Sequence, residues 1–271
     1  MPAISFRRTL AYSFTAPVCL AGKILPAVAL PWVGGVFLLY GTLSFYFQRL
    51  TIFLTYPSDR TGSSVLGIVA GGIFLLLFLH CIICTRITAL LLNRGEKPVA
   101  LRVRRREWRL YAAHLRILPL FVPVIFLLGY VQDVVPYKSL QVPLAIAAIV
   151  IAVFLFTRIC FLMAPVSVVH SEGAVLRRSW HLSSGNAVAF FVLSMILIVP
   201  GVLLELCAEA GLRTVGSLPA NVGSWPLAAV IVLYTKFLPM MVCVISIVYL
   251  ISAILFLAGQ VAVYRQLTGE A

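Results

Sequence analysis

Residues 226–263 carry one charged side chain, Lys236, in an otherwise apolar or weakly polar run. A straight helix of that length would be nearly twice the ~30 Å thickness of a bilayer's hydrocarbon core. Several other apolar runs approach the ~20 residues that one crossing requires. A soluble core cannot absorb this material. The chain is 62% hydrophobic and only 11% charged, against about 45–50% and about 25% in soluble domains. Lipid must cover much of the surface.

The apolar runs and their breakers predict an all-α, polytopic transmembrane bundle. It forms one domain, 1–271, with about six spans near 24–47, 64–92, 117–131, 143–163, 186–206 and 237–262. Residues 4–16 read as a separate amphipathic entry helix, with Pro26 and Pro31 near the start of the first span. There a missing backbone donor matters little. Lys236 and Pro239 divide the last run, leaving 227–234 as an interfacial or re-entrant piece. Gly67 and Gly71 form a GxxxG pair, a spacing that lets helices approach closely and that also arises often by chance in apolar sequence.

The net charge is +13. Its distribution favours a topology signal over nucleic-acid binding. Arg7, Arg8, the cluster from Arg94 to Arg116, Arg177, Arg178 and Arg265 would all lie on one side of a six-span chain. The positive-inside rule then puts both termini in the cytoplasm. The N-terminal stretch lacks a small-residue cleavage site and is expected to be retained.

Two basic segments are expected to be amphipathic interfacial helices. Helical placement brings Arg102, Arg105, Arg109 and Arg116 within about 60° of one another. Trp108, Tyr111 and Leu115 fall on another face. In the second segment, Arg177, Arg178 and His181 share a polar arc, and Val175, Leu176, Trp180 and Leu182 an apolar one. Gly185 can close this helix in the left-handed conformation. Such helices suit the headgroup layer, and each arginine near an anionic surface contributes about 1 kcal/mol. Arg102, Arg105, Arg109, Arg116, Arg177 and Arg178 are therefore the candidate lipid-headgroup contacts. The plainer reading is that they only fix topology.

Several short motifs carry a family resemblance. Arg158 in the fourth span is followed by Ala164-Pro165 and by Ser179-Trp180-x-Leu182-Ser183-x-Gly185-Asn186. Arg8-Thr9-Leu10, Gly95-Glu96-x-Pro98, Arg106-Glu107-Trp108-Arg109 and Tyr264-Arg265-x-Leu267 complete the set. The chain resembles, over nearly its whole length, the YciC-like proteins and the membrane domain of glycerophosphoryl diester phosphodiesterase. The resemblance implies a six-helix domain of the bacterial inner membrane whose function is largely unknown. In fused members catalysis belongs to a separate soluble barrel with acidic metal ligands. This chain has no region large enough for that barrel, so no catalytic residue carries over.

Other candidates are few. Arg158 lies about one and a half turns from the basic end of its span, where it can reach the interface, helix carbonyls or a lipid phosphate. His80 and Cys84 share a helix face, but zinc needs three or four converging ligands. Glu205 and Glu209 form an i,i+4 pair at a helix end. The six cysteines make no secreted disulfide framework. No GxSxG, HExxH or phosphate loop is present. No enzyme activity, metal or cofactor is expected. The leading expectation is a non-enzymatic membrane protein that binds anionic lipid, or a membrane-protein partner, through its basic face. The alternative is a transporter or exporter of a lipid-like or small hydrophobic solute, which needs a mid-depth cavity reached by Arg158 or His80.

Overall fold

The computed structural model describes residues 4–55, 61–93, 103–134, 138–170, 174–215 and 227–269. Among them are eight α-helices and no strand. The helices are α1 (Phe6–Thr55), α2 (Thr61–Leu91), α3 (Arg105–Val134), α4 (Lys138–Cys160), α5 (Met163–Val169), α6 (Val175–Ser183), α7 (Ala187–Val215) and α8 (Leu227–Thr268). Within the described residues, five stretches are long and apolar enough to cross a membrane: Phe6–Leu50, Gly67–Leu91, Val142–Val169, Ala187–Ala208 and Thr235–Thr268. The chain is thus helical and suited to multiple crossings.

Three expectations about helix boundaries change. The basic helix from Arg105 and the span at 117–131 are one helix, α3. The entry helix and first span are one continuous helix, α1, with Pro17, Pro26 and Pro31 inside it. The last run is likewise one helix, α8, with Pro239 inside it. Both exceed a bilayer's thickness, and the excess has a common destination. The N-terminal turns of α1 bury Thr9 and Ser13, and the C-terminal turns of α8 bury Leu257, Val261 and Tyr264. The Ser5 backbone N–H donates to Gln266 Oε1 at 2.7 Å, and Gln266 Nε2 donates to Thr9 Oγ1 at 3.0 Å. The two helices run antiparallel and latch where both termini meet.

Burial is concentrated at this same end. The last turns of α2, from Cys81 to Leu91, are buried with Leu110 of α3, Met163 and Val166 of α5 and Phe190 of α7. The other half of the bundle exposes large aliphatic side chains, among them Ile146, Ile149 and Ile151 of α4 and Val202, Leu203 and Leu206 of α7. A belt of this kind suits contact with hydrocarbon.

Between helices in lipid the hydrophobic drive is absent, and close packing at small residues takes its place. Gly67 and Gly71 do not supply it, since a Cβ at either would meet nothing within 4 Å. Gly72 does: a Cβ there would lie 2.6 Å from Thr42 Oγ1 and 2.8 Å from its Cγ2. Threonine fills two of its three staggered positions, so no χ1 rotation clears both branches. Gly72→Ala should therefore lower the thermal unfolding midpoint in detergent, at an overpacking cost of about 1–3 kcal/mol. Gly71→Ala should be neutral or slightly stabilising, because alanine favours a helix over glycine by up to about 1 kcal/mol. Equal midpoints for the two variants would show that α1 and α2 do not meet at Gly72.

Candidate functional site

The basic end is organised around Arg86, a residue of α2 buried to 7% exposure. Pro31 has no N–H, so the Ala27 carbonyl four residues earlier loses its helical donor. Arg86 Nη1 donates to that oxygen at 3.0 Å. Its Nε lies 3.6 Å from Glu107 Oε1, and Glu107 is only 1% exposed. The other carboxylate oxygen of Glu107 accepts the Arg104 backbone N–H at 2.6 Å. Glu107 thus occupies the third position of α3 and reaches back to cap it. One arginine and one glutamate join α1, α2 and the start of α3.

Arg109 extends the lattice. Its Nη2 donates to the Ser167 carbonyl at 3.1 Å and its Nη1 to the His170 carbonyl. It closes the C-terminal turn of the short helix α5, where carbonyls lack internal donors and the helix dipole favours a cation. Arg265 does the same for α2: its Nη2 donates to the Leu91 carbonyl at 2.9 Å, which also accepts the Tyr12 hydroxyl at 3.1 Å. Arg106 is half-buried beside this lattice. Burial pushes its guanidinium pKa down; Glu107 pushes back, while Arg86 and Arg109 add to the lowering.

Arg158 is held in a different way. It sits in the last turn of α4, and its guanidinium carbon lies 3.8 Å from the centroid of the Trp180 ring on α6. A stacked cation gains from the ring quadrupole. The buried stripe of α6 is Val175, Ser179 and Ser183, and Trp180 is partly exposed instead of facing inward with Val175. The small serines let α6 seat on α4, and Ser179 Oγ donates to the Ile159 carbonyl at 2.7 Å. Gly185 follows with φ 80, the left-handed closure its sequence position calls for.

The candidate headgroup residues therefore separate. Arg109 is partly buried and bonded to α5, whereas Arg105, Arg116, Arg177 and Arg178 are exposed. Arg102 and Gly95-Glu96-x-Pro98 lie outside the described residues.

A second polar layer lies deeper. His80 Nδ1 meets the Tyr249 hydroxyl of α8, and its Nε2 lies 3.4 Å from Cys84 Sγ. The His114 ring of α3 stands edge-on to His80 at 5.9 Å. No group of three or more metal-ligating side chains converges among the described residues. His80 lines three cavities of about 710, 420 and 220 Å³. Arg158 lines none of these three. Glu205 is exposed and borders the largest.

Comparison with family models, curated proteins and solved structures finds no match to this chain.

Arg86, His114, Tyr249, Ser194 and Gln260 had no place in the sequence reading. For Arg86 a signal existed: it is a cation inside an apolar run, and Glu107 is one of only eight acidic residues available to partner it. Arg86→Met should destabilise the protein by about 3–5 kcal/mol, because it strands a buried carboxylate. Adding Glu107→Leu should return much of that loss. Pro31→Ala in the Arg86→Met background should return a smaller share, since Ala27 regains a backbone donor. Thermal unfolding of the three single variants and these two double variants in detergent measures these couplings. Additive losses would mean that the three residues act independently.

Proposed function

We propose that this chain is a non-enzymatic, multi-pass inner-membrane protein that binds anionic lipid headgroups through its basic face. In this reading it crosses the bilayer six times. Residues 117–131 of α3 supply the crossing beyond the five stretches named above, and both termini are cytoplasmic. Helix α6 and the start of α3 lie in the headgroup layer. The resemblance to the YciC-like and glycerophosphodiesterase membrane domains is part of the same proposal.

The observation that carries it is the division among the arginines. Arg109 and Arg265 face inward and tie helix ends together. Arg105, Arg116, Arg177 and Arg178 face outward, and none forms an ion pair with a described residue. All belong to the basic end. Topology alone asks for positive charge on one side. It does not ask for an internally braced surface that holds two cationic helices, and such a surface suits phosphate-bearing headgroups. An acidic surface on a membrane-protein partner would meet the same arginines.

Carriage of a lipid-like or small hydrophobic solute has one observation in its favour: His80 borders cavities within the bundle.

Native mass spectrometry of the protein extracted with its surrounding lipid tests the lead reading. Replacing Arg105, Arg116, Arg177 and Arg178 together by Gln should reduce retained anionic lipid by severalfold per residue, following from about 1 kcal/mol each, with the unfolding midpoint unchanged. Arg109→Gln should instead lower the midpoint. Undiminished anionic lipid on the fourfold variant would reduce the basic face to a topology signal. A retained protein lost from that variant in place of lipid would assign the face to a protein partner.

A further inference from the structure

The smallest of the three cavities, about 220 Å³, lies within the bundle, between α7 and α8 and the helices α2 to α5. Its lining includes His80, Cys84, His114, Thr157, Ser194 and Gln260. Ser194 is 2% exposed and Gln260 5%. Ser194 Oγ and Gln260 Oε1 have no hydrogen-bond partner among the described residues. A buried polar atom without a partner is costly anywhere, and more so where hydrocarbon surrounds the protein. His80 does not satisfy them, since its two ring nitrogens face Tyr249 and Cys84.

The largest cavity adjoins this one. His80, Ile198, Ala253 and Phe256 line both. It is a cleft of about 710 Å³ between α7 and α8, walled mainly by apolar side chains such as Met240, Met241 and Val244. Ile198, Val202 and Ile245 on its rim are exposed, so it reaches the lipid-facing surface. Its volume falls within the ~300–1,000 Å³ of small-molecule sites. Gly201 keeps the helices close beside it, since a Cβ there would lie 2.6 Å from Ser252 Oγ.

We infer that these adjoining cavities bind a neutral long-chain lipid bearing a hydroxyl head, its chain in the α7–α8 cleft and its hydroxyl between Ser194 and Gln260. The neutrality follows from the lining: among the described residues no Arg, Lys, Asp or Glu borders the inner cavity. A charged head would be stranded there without a counter-charge. The hydroxyl follows from the two unpartnered atoms. It can donate to Gln260 Oε1 and accept from the Ser194 hydroxyl, and it suits the carboxamide in either orientation. Water could meet the same two atoms, but water has no reason to fill the apolar cleft. This site is separate from the basic face and does not depend on anionic-lipid binding there.

The test uses the full-length purified protein and a photoreactive, diazirine-bearing hexadecanol. Saturable adducts should map to the cleft segments around Val202 and Met240–Val244. Unlabelled hexadecanol should compete, whereas hexadecane and palmitate should not. Ser194→Ala and Gln260→Leu should each weaken the apparent affinity about fivefold, the size of one lost neutral hydrogen bond. Met241→Trp, which fills the cleft without touching the polar end, should abolish saturable labelling. Equal competition by hexadecane would overturn the inference by showing an unspecific apolar groove. Unchanged affinity in both polar variants would overturn it by showing that those atoms hold water only. Labelling that survives Met241→Trp would place the probe elsewhere. The fourfold arginine variant should label like wild type, so failure of the basic-face reading and failure of this one are distinguishable.

Discussion

A proline without an N–H sets the arrangement of the basic end. Pro31 leaves the Ala27 carbonyl without its helical donor, and Arg86 of the neighbouring helix supplies one. A guanidinium so placed cannot remain unpaired at low dielectric, and Glu107 meets it. Glu107 in turn begins α3 by capping it. Each group is held because the others are present. That is the property of a buried pair: it adds little net stability over an apolar equivalent, but removing one member is severe. The pair therefore specifies which faces of α1, α2 and α3 meet more than it adds to their total binding.

The rest of the fold divides along the bundle axis into two ends of different character. At the basic end, arginines and tyrosine close helix ends, as Arg109 does for α5 and Arg265 with Tyr12 for α2. In the other half, side chains such as Ile151 and Leu203 are exposed, and close approaches are made at small residues. Gly72 against Thr42 and Gly201 against Ser252 are close approaches of that kind. The stiff end and the thinly packed end follow from one fact: hydrophobic burial drives association only where water is the competing solvent.

That division also explains what the sequence revealed. Apolar runs and their breakers marked the helices long and apolar enough to cross a membrane, and the turn at Gly185 was legible because its requirement is local. The continuity of α1 was hidden, because a proline in mid-helix frees a carbonyl, and the donor that meets the one freed by Pro31, Arg86, lies in another helix. The α8 boundary was hidden for a related reason, since its excess length is covered by the N-terminal turns of α1. On α6 the apolar arc grouped Trp180 with Val175, Leu176 and Leu182. Ser179 and Ser183 are the buried residues, and Trp180 lies beneath Arg158. Small size decided the contact, and hydropathy carries no record of it. The same applies to Gly72, which makes the approach that the spacing of Gly67 and Gly71 suggested.

Two sets of polar groups inside this bundle thus have opposite characters. Arg86 and Glu107 each meet protein partners, so their function is completed within the fold. Ser194 and Gln260 border a cavity, and Ser194 Oγ and Gln260 Oε1 meet no partner among the described residues. Serine can often return its hydroxyl to its own helix, as Ser252 does toward the Val248 carbonyl at 2.8 Å. Ser194 does not do so, although its helix offers the same carbonyl four residues earlier. A buried glutamine lacks that easy local option, and Gln260 borders the inner cavity that adjoins the apolar cleft. The contrast within one molecule, between polar atoms satisfied by the chain and polar atoms turned toward space, separates what holds the bundle together from what the bundle can hold.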